Sequence, residues 1–565
     1  MHENTSHANR EIPGLLQPPL PGMGAGAQRE VGRRRTPLMH EPGKSDSRVV
    51  PEKVPNNARR RAAEGLEGRR LAKRNSPRAT TLRTQGRARV QAALGRVRHA
   101  AEQQKGVRFT ALLHHIYAID TLRAAFYELK RDAAPGVDGQ TWEQYGQDLE
   151  ANLAALSDRV RRGTYRPQPV RRVYIPKRDG KQRPIGVTAL EDKLVQRATA
   201  MVLKAVYEPE FAGFSYGGRT DRSAHQALAA LDQAVTKRRV KWVLDADLRD
   251  FFGSLEHAWL RRFLEHRIGD KRVVRLIRQW LAAGVLEDGT WTPSEAGTPQ
   301  GGSISPLAAN VYLPYVFDLW VQRWRRTEAR AEVIVVRYLD DFIVGFQKRA
   351  DAVHFRKMLR ERLGQFGLRL HPDKTRLLEF GRFATQDRQA RGRGKPETFQ
   401  CLGFVHACEH TRTGWFVVHR HTAAERLRAK LAEVKDELRR RRHAPIPEVG
   451  KYLAAVVRGH AQYYGIKGNS KAIQRFHREV GRLWQRALSR RSQKGVVRWR
   501  RMQRLLDRWL PSPRIAHPTA EKVFAVMTQG RSRCGNPARR DLWRGRPAMT
   551  VPTPIRRFLF SYSSV

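Results

Sequence analysis

The sequence predicts an α+β protein in which a mixed helix-and-strand module is followed by an all-helical one. Three observations predict it. Short apolar strands alternate with helical stretches between residue 109 and about residue 420, and helical periodicity takes over from 422 onward. A chain of 565 residues is also too long for one core, so about two to four domains are expected. Residues 1–105 differ from the rest: they are rich in Arg, Pro, Gly, Ala and Ser. Runs such as Arg33-Arg34-Arg35 and Arg59-Arg60-Arg61 read as a disordered basic arm, with transient helix around 87–104.

Each element follows from its residues. Leu112, Leu113, Ile116, Ile119, Leu122 and Phe126 fall at helical spacing within 109–131. Ala134-Pro135-Gly136-Val137-Asp138-Gly139 then ends the helix with turn formers. Val170 to Ile175 reads as a strand, and Lys177-Arg178-Asp179-Gly180-Lys181 as a hairpin tip, Asp-Gly being a strong turn signal. Residues 191–206 return to helix, with Leu194, Ala198, Met201, Val202 and Ala205 on one face. Val240 to Asp247 reads as a strand and 256–283 as helices. Val333 to Val336 and Phe342 to Phe346 are apolar strands, and Tyr338-Leu339-Asp340-Asp341 caps the hairpin between them. Downstream, Leu427, Leu431, Val434 and Leu438 share one helical face, and Ile473, Phe476, Val480, Leu483 and Trp484 share another. Residues 516–565 are basic and poorly periodic. No internal repeat is present.

The charge narrows the function. Lys and Arg number 108 against 54 Asp and Glu, a net charge of +54. Such a chain repels itself unless it meets a polyanion, so nucleic acid is the expected partner. An anionic membrane would not explain basic residues spread over the whole length, and no apolar run approaches the roughly 20 residues a span requires. Three cysteines (Cys401, Cys408 and Cys534) cannot staple a protein this size, and the N-terminus lacks an apolar signal segment; a cytoplasmic protein is expected.

Motifs decide between packing protein and enzyme. Asp340 and Asp341 sit between two apolar strands, where two carboxylates about 4 Å apart repel by roughly 4 kcal/mol at an effective dielectric near 20. A buried hairpin tip of this kind needs a cation, and oxygen ligands select Mg²⁺ or Mn²⁺. An exposed turn would carry the same pair without one. A second acidic strand end favours the metal: Asp245 and Asp247 share a face because strand side chains alternate. Three acids from two strand ends would hold two ions for phosphoryl transfer.

These segments resemble those of reverse transcriptases of the group II intron type. Tyr338-Leu339-Asp340-Asp341 resembles the Tyr-x-Asp-Asp box, and Asp247-Leu248-Arg249-Asp250-Phe251-Phe252 is similar to the preceding acidic motif. Gly297-Thr298-Pro299-Gln300-Gly301-Gly302-Ser303, continuing to Asn310, looks like the Pro-Gln-Gly block. The resemblance spans roughly 109 to 515 and implies a right-hand polymerase. Its fingers and palm, with an antiparallel palm sheet, would occupy 106–410, its thumb and domain X (the maturase region) 411–515, and a basic tail 516–565. It implies Asp247, Asp340 and Asp341 as catalytic acids, with Asp247, Asp340 and the Leu248 carbonyl holding two Mg²⁺ ions. Lys177, Arg183, Phe252 and Gln300 would contact the dNTP, the Phe252 ring excluding a 2′-OH. Arg458, Tyr463 and Tyr464 would contact RNA, the tyrosines by stacking. Asp245 and Asp250 have no counterpart and read as supporting or surface residues.

Two departures stand out. Gly218 in Ser215-Tyr216-Gly217-Gly218-Arg219 replaces a usual Phe, and Gly253 replaces an Asp that often follows Phe-Phe. The segments His371-Pro372-Asp373-Lys374-Thr375 and Cys401-Leu402-Gly403-Phe404 resemble the block after the palm and the segment supporting the primer. Cys534 stands alone, so no C-terminal endonuclease is expected, and Cys401, His406, Cys408 and His410 are poorly spaced for zinc. The implied partners are group II intron RNA, an RNA template, a DNA primer or target, and dNTPs. The alternatives are a splicing factor that only binds RNA, and a retron, CRISPR-associated or diversity-generating reverse transcriptase.

Overall fold

A computed structural model describes residues 77–517, apart from 105, 177–181, 295, 299–301, 303 and 493–494. The arm up to residue 76, the tail beyond 517, the hairpin tip with Lys177, and Gln300 therefore lie outside the described residues. So does Cys534.

Helices α1 (Pro77–Gln103), α2 (Leu113–Tyr117), α3 (Ile119–Glu128), α4 (Trp142–Tyr145) and α5 (Leu149–Arg162) lead into the hairpin β1 (Val170–Pro176) and β2 (Gln182–Val187). After α6 (Leu190–Tyr207) and α7 (Ala224–Lys237) comes β3 (Trp242–Ala246), then α8 (His257–Arg267) and α9 (Lys271–Ala282). The short strands β4 (Val285–Glu287) and β5 (Thr290–Thr292) extend the first hairpin into a sheet of order β2-β1-β4-β5. Helix α10 (Ser305–Leu313) passes through a π-helical turn, Pro314–Asp318, into α11 (Leu319–Thr327).

The central sheet follows. Strands β6 (Val333–Tyr338) and β7 (Asp341–Phe346), the helix α12 (Arg349–Gly364) and β8 (Arg376–Glu379) complete the order β6-β7-β3-β8. Every pairing in it is antiparallel. Strand β6 is buried on both faces, so it reads as an unbroken apolar run rather than an alternating one. Val333 and Val335 join the large core, while Ile334 and Val336 join a second core under α7.

Helix α13 (Ala384–Gln389) leads to a small sheet of order β11-β10-β9, formed by β9 (Phe399–Cys401), β10 (Phe404–His410) and β11 (Phe416–Thr422). The helical module is α14 (Ala424–Arg440), α15 (Ile446–Tyr464), α16 (Ser470–Ser489) and α17 (Trp499–Trp509), packed around Trp484, Phe476 and Val480. No described helix is long and apolar enough to cross a membrane.

Two expected boundaries move. The ordered region begins before residue 105: Val90, Val97 and Ala101 recur on one face of α1 and are buried where it packs on α3 and α6. The 410/411 division falls inside a hairpin, because β10 and β11 pair continuously from Phe404↔Thr422 to His410↔Phe416. The helical module therefore starts at Ala424.

The fold carries an acid sensitivity. Burial holds the imidazoles of His406, His266 and His460 down, to about 3, 4 and 4. In the unfolded chain they titrate near 6.5, so stability is complete above that pH and is lost as pH falls through it. Each neutral buried histidine removes up to about 1.4 kcal/mol per pH unit. His406 stacks on Phe399 at 4.7 Å with rings nearly parallel. His406→Phe is expected to keep that stack and shallow the loss of stability between pH 6.5 and 5 by close to one proton, read by urea melts across pH.

Candidate active site

Three strands bring the acids together. β6 and β7 form a two-residue hairpin whose last pair is Tyr338↔Asp341, so Leu339 and Asp340 are its turn. Leu339 takes φ +57°, a left-handed conformation uncommon for a residue with a side chain. On the other side of β7, β3 pairs Asp245 with Ile343 and Ala246 with Phe342. One further step in that register sets Asp247 beside Asp341.

The electrostatics report the same convergence. Desolvation, and then the charge of Asp247, hold the Asp340 carboxyl above its usual range, with Arg183 and Arg337 pulling it down. Asp341 is exposed, yet desolvation followed by Asp340, Asp247 and Asp245 pushes it up to about 7; Lys374 opposes this. Asp245 is pushed up to about 6 by desolvation, which Arg376 opposes. Four carboxylates therefore feel one another across two strand ends. Asp245, read from sequence as peripheral, belongs to this negative cluster through charge. Its own carboxylate pairs with Arg376 at 3.6 Å.

Lys374 Nζ lies 2.7 Å from Asp247 Oδ2. No three His, Cys, Asp or Glu side chains among the described residues are arranged to hold a metal. The chemistry of the cluster still suits a hard divalent cation. All its donors are oxygens, and their crowded, partly desolvated negative charge is relieved by one. Leu248 adds a backbone donor. Arg249 N donates to Arg369 O and His371 N to Asp247 O, at 2.8 Å each, flanking the isolated Leu248↔Leu370 bridge. Leu248 thus occupies a non-hydrogen-bonded position, and its carbonyl stays outside the ladder.

The other sequence-predicted residues divide. Arg183, opposite Ile175 in the β1–β2 hairpin, is close enough for its charge to act on Asp340. Phe252 packs edge-to-face on the buried Phe251 at 5.1 Å, and its carbonyl accepts the Thr298 N–H at 2.7 Å. That bond holds Thr298 against the acidic motif; Gln300 lies outside the described residues. Arg458 is exposed on α15. Tyr463 and Tyr464 require correction: the Tyr463 hydroxyl donates to Leu402 O at 2.9 Å, and both rings pack on Phe404. They tie α15 to the Leu402–Gly403 turn, so their rings are committed to the protein rather than to stacking on RNA.

Sequence reasoning missed Lys374, Arg376 and the buried pair Arg337–Asp318. Arg337 left a signal as a charge closing an apolar strand, and Lys374 as part of the His371–Thr375 block.

The two departures have local reasons. Gly218 has φ +68°, and a Cβ there would lie 2.8 Å from Asn310 Nδ2. A Cβ at Gly253 would collide with the Asp250 carboxylate. Restoring the ring with Gly218→Phe is therefore expected to destabilise the protein by more than about 1 kcal/mol, measured by thermal melting.

Comparisons with known proteins agree with this geometry. Residues 175–406, which hold all the acids, match the model of the reverse transcriptase (RNA-dependent DNA polymerase) family. Protein YkfC of Escherichia coli K12 is 35% identical over 275 residues, 43% of this chain and 72% of that protein. Group II intron-encoded protein LtrA of Lactococcus lactis subsp. cremoris is 33% identical over 223 residues. That match covers 39% of this chain but only 37% of LtrA. A putative COX1/OXI3 intron 1 protein of Saccharomyces cerevisiae is 28% identical over 212 residues, 37% of this chain and 25% of its own length. Sequence blocks, antiparallel acid-bearing strands and these relatives together place the chain in the group II intron reverse transcriptase/maturase family.

Proposed function

We propose that this chain is an active RNA-directed DNA polymerase that also binds intron RNA through its helical module to assist splicing and mobility. The observation that carries the first part is the convergence of Asp247 with Asp340 and Asp341 through the adjacent strands β3 and β7.

In this reading Asp247, Asp340 and the Leu248 carbonyl would hold two Mg²⁺ ions, or Mn²⁺. When bound, the ions supply activation of the primer 3′-OH and charge stabilisation at the departing pyrophosphate. Asp341 keeps the local potential negative. Arg183, together with Lys177 as the resemblance implies, grips the triphosphate as a polyanion. Gln300 and Phe252 set the incoming sugar, the ring leaving no room for a 2′-OH. A primer end held here attacks the α-phosphorus, forming a phosphodiester as pyrophosphate leaves.

The RNA-binding part rests on charge. Arg475, Arg478, Arg482 and Arg486 form an exposed stripe on α16 opposite its buried face, and Arg500, Arg501, Arg504 and Arg508 are exposed on α17. These suit phosphate neutralisation. The relatives named for introns support intron RNA as the ligand.

Asp340→Ala is expected to lower primer extension on an RNA template by at least about 10³-fold while splicing of the adjacent intron largely survives. A wild-type chain that assists splicing but extends nothing with Mg²⁺ or Mn²⁺ favours an RNA-binding splicing factor instead. Binding should be followed across salt, since six to ten phosphate contacts lose about 10³–10⁵ in affinity between 50 and 200 mM. Phe252→Ala is expected to raise ribonucleotide incorporation relative to deoxyribonucleotide by about tenfold or more in single-nucleotide assays. An unchanged ratio sinks the gate assignment.

A further inference from the structure

We infer that the buried Arg337–Asp318 pair is a positioning device for the acid turn: it fixes the Leu339 carbonyl and so aims Asp340 for divalent-cation binding. This rests on the polymerase reading above.

Arg337 is 0% exposed and Asp318 2%. Alternation along β6 puts Arg337 on the same face as Val333 and Val335, pointing into the large core where an aliphatic residue would fit. Stability does not explain the pair. Replacing a buried ion pair by well-packed apolar residues is commonly neutral or favourable, because two charges must be taken out of water.

What an aliphatic pair cannot do is donate. A guanidinium is a rigid fork of five N–H groups. Nε and Nη2 reach the two Asp318 oxygens at 2.7 and 2.5 Å, which leaves Nη1 aimed at Leu339 O, 3.1 Å away. Asp318 itself is delivered by the π-helical turn between α10 and α11, a geometry that is rare and concentrated at functional sites.

The surrounding backbone is already held. Arg337 N donates to Phe214 O at 2.9 Å, and Tyr216 N to Arg337 O at 2.8 Å. Gly217 packs so closely on the turn that a Cβ would collide with Leu339 N, and Asn310 Nδ2 donates to Gly217 O at 3.0 Å. The Leu339 peptide, in its left-handed conformation, is the link between this frame and Asp340. Such conformations persist only where the surroundings over-determine them, and the Arg337 fork completes that set.

The test uses the full chain with the double change Asp318→Leu and Arg337→Met, read by thermal melting, Mn²⁺ binding (electron paramagnetic resonance of the free ion) and single-nucleotide extension. The double variant is expected to melt within about 3 °C of wild type, since the apolar pair fills the same space. Its Mn²⁺ affinity is expected to fall about tenfold or more, and kcat about 100-fold with KM for dNTP nearly unchanged. If wild type neither binds Mn²⁺ nor extends a primer, the polymerase reading fails. If wild type does both and the folded double variant matches it, the positioning role alone is overturned. Should the double variant unfold, Arg337→Lys keeps the charge against Asp318 without the fork. It is expected to show the same loss of Mn²⁺ affinity, and wild-type affinity overturns the inference. Unfolding of both variants would assign the pair to stability and overturn it too.

Discussion

Four carboxylates gathered at the ends of two adjacent strands repel one another, and much of the surrounding structure exists to make that arrangement hold. Two carboxylates about 4 Å apart repel by roughly 4 kcal/mol at an effective dielectric near 20. The chain meets this with cations placed around the rim. Lys374 sits on Asp247, Arg376 on Asp245, and the charges of Arg183 and Arg337 reach Asp340. Desolvation first, and then the charges of Asp340, Asp247 and Asp245, push the Asp341 carboxyl up to about 7. A site that remains under-neutralised within a chain of net charge +54 is a local exception, suited to taking up small cations while the rest attracts polyanions.

Buried polar pairs restrain the segment before β6. Arg219 joins Glu208 and also donates to the carbonyls of Ala212 and Ser215, fixing the segment that pairs with β6. Arg267 pairs with Glu210 below the same segment. Such pairs contribute little net stability, but each restricts geometry in a way that an apolar contact does not. The helical module is tied to this frame at several points: Leu402 and Gly403, at φ +50° and +81°, accept the packing and hydrogen bond of Tyr463 and Tyr464, His225 Nε2 bonds the Tyr463 carbonyl at 2.8 Å, and Thr422 N donates to Asn469 Oδ1 at 3.0 Å. Half-buried Cys401 lies next to that turn, and its thiol is pushed up by desolvation and then by Asp341 and Asp245. The route from α15 to the acids is therefore short.

Much of the fold was legible because it follows from local period. The strands β3, β6 and β7 and the helices α6, α14 and α16 fall where alternation or the 3.6-residue repeat puts them. The misreadings arose where burial depends on distant partners. Helix α1 looks like a solvated basic segment until α3 and α6 cover Val90, Val97 and Ala101. Tyr463 and Tyr464 look like stacking platforms until Phe404 and Leu402 arrive from another sheet. The 410/411 division falls inside a hairpin, since β10 and β11 pair on either side of Thr411 to Gly414.

The sequence by itself determined the acids, their order along the chain and the elements carrying them, because residue type and local periodicity are properties of neighbours in the chain. It also set the expected class of partner, since net charge is a sum that ignores geometry. Only the tertiary structure decided which acids share a field, which cations answer them and which aromatics are spoken for. Those outcomes depend on the register between β3 and β7, on the π turn that delivers Asp318, and on a hairpin meeting a helix some 60 residues away, |i−j| being 61 for Tyr463 and Leu402. Coulomb and packing energies fall off with distance in space, and that distance is set only once the chain has folded.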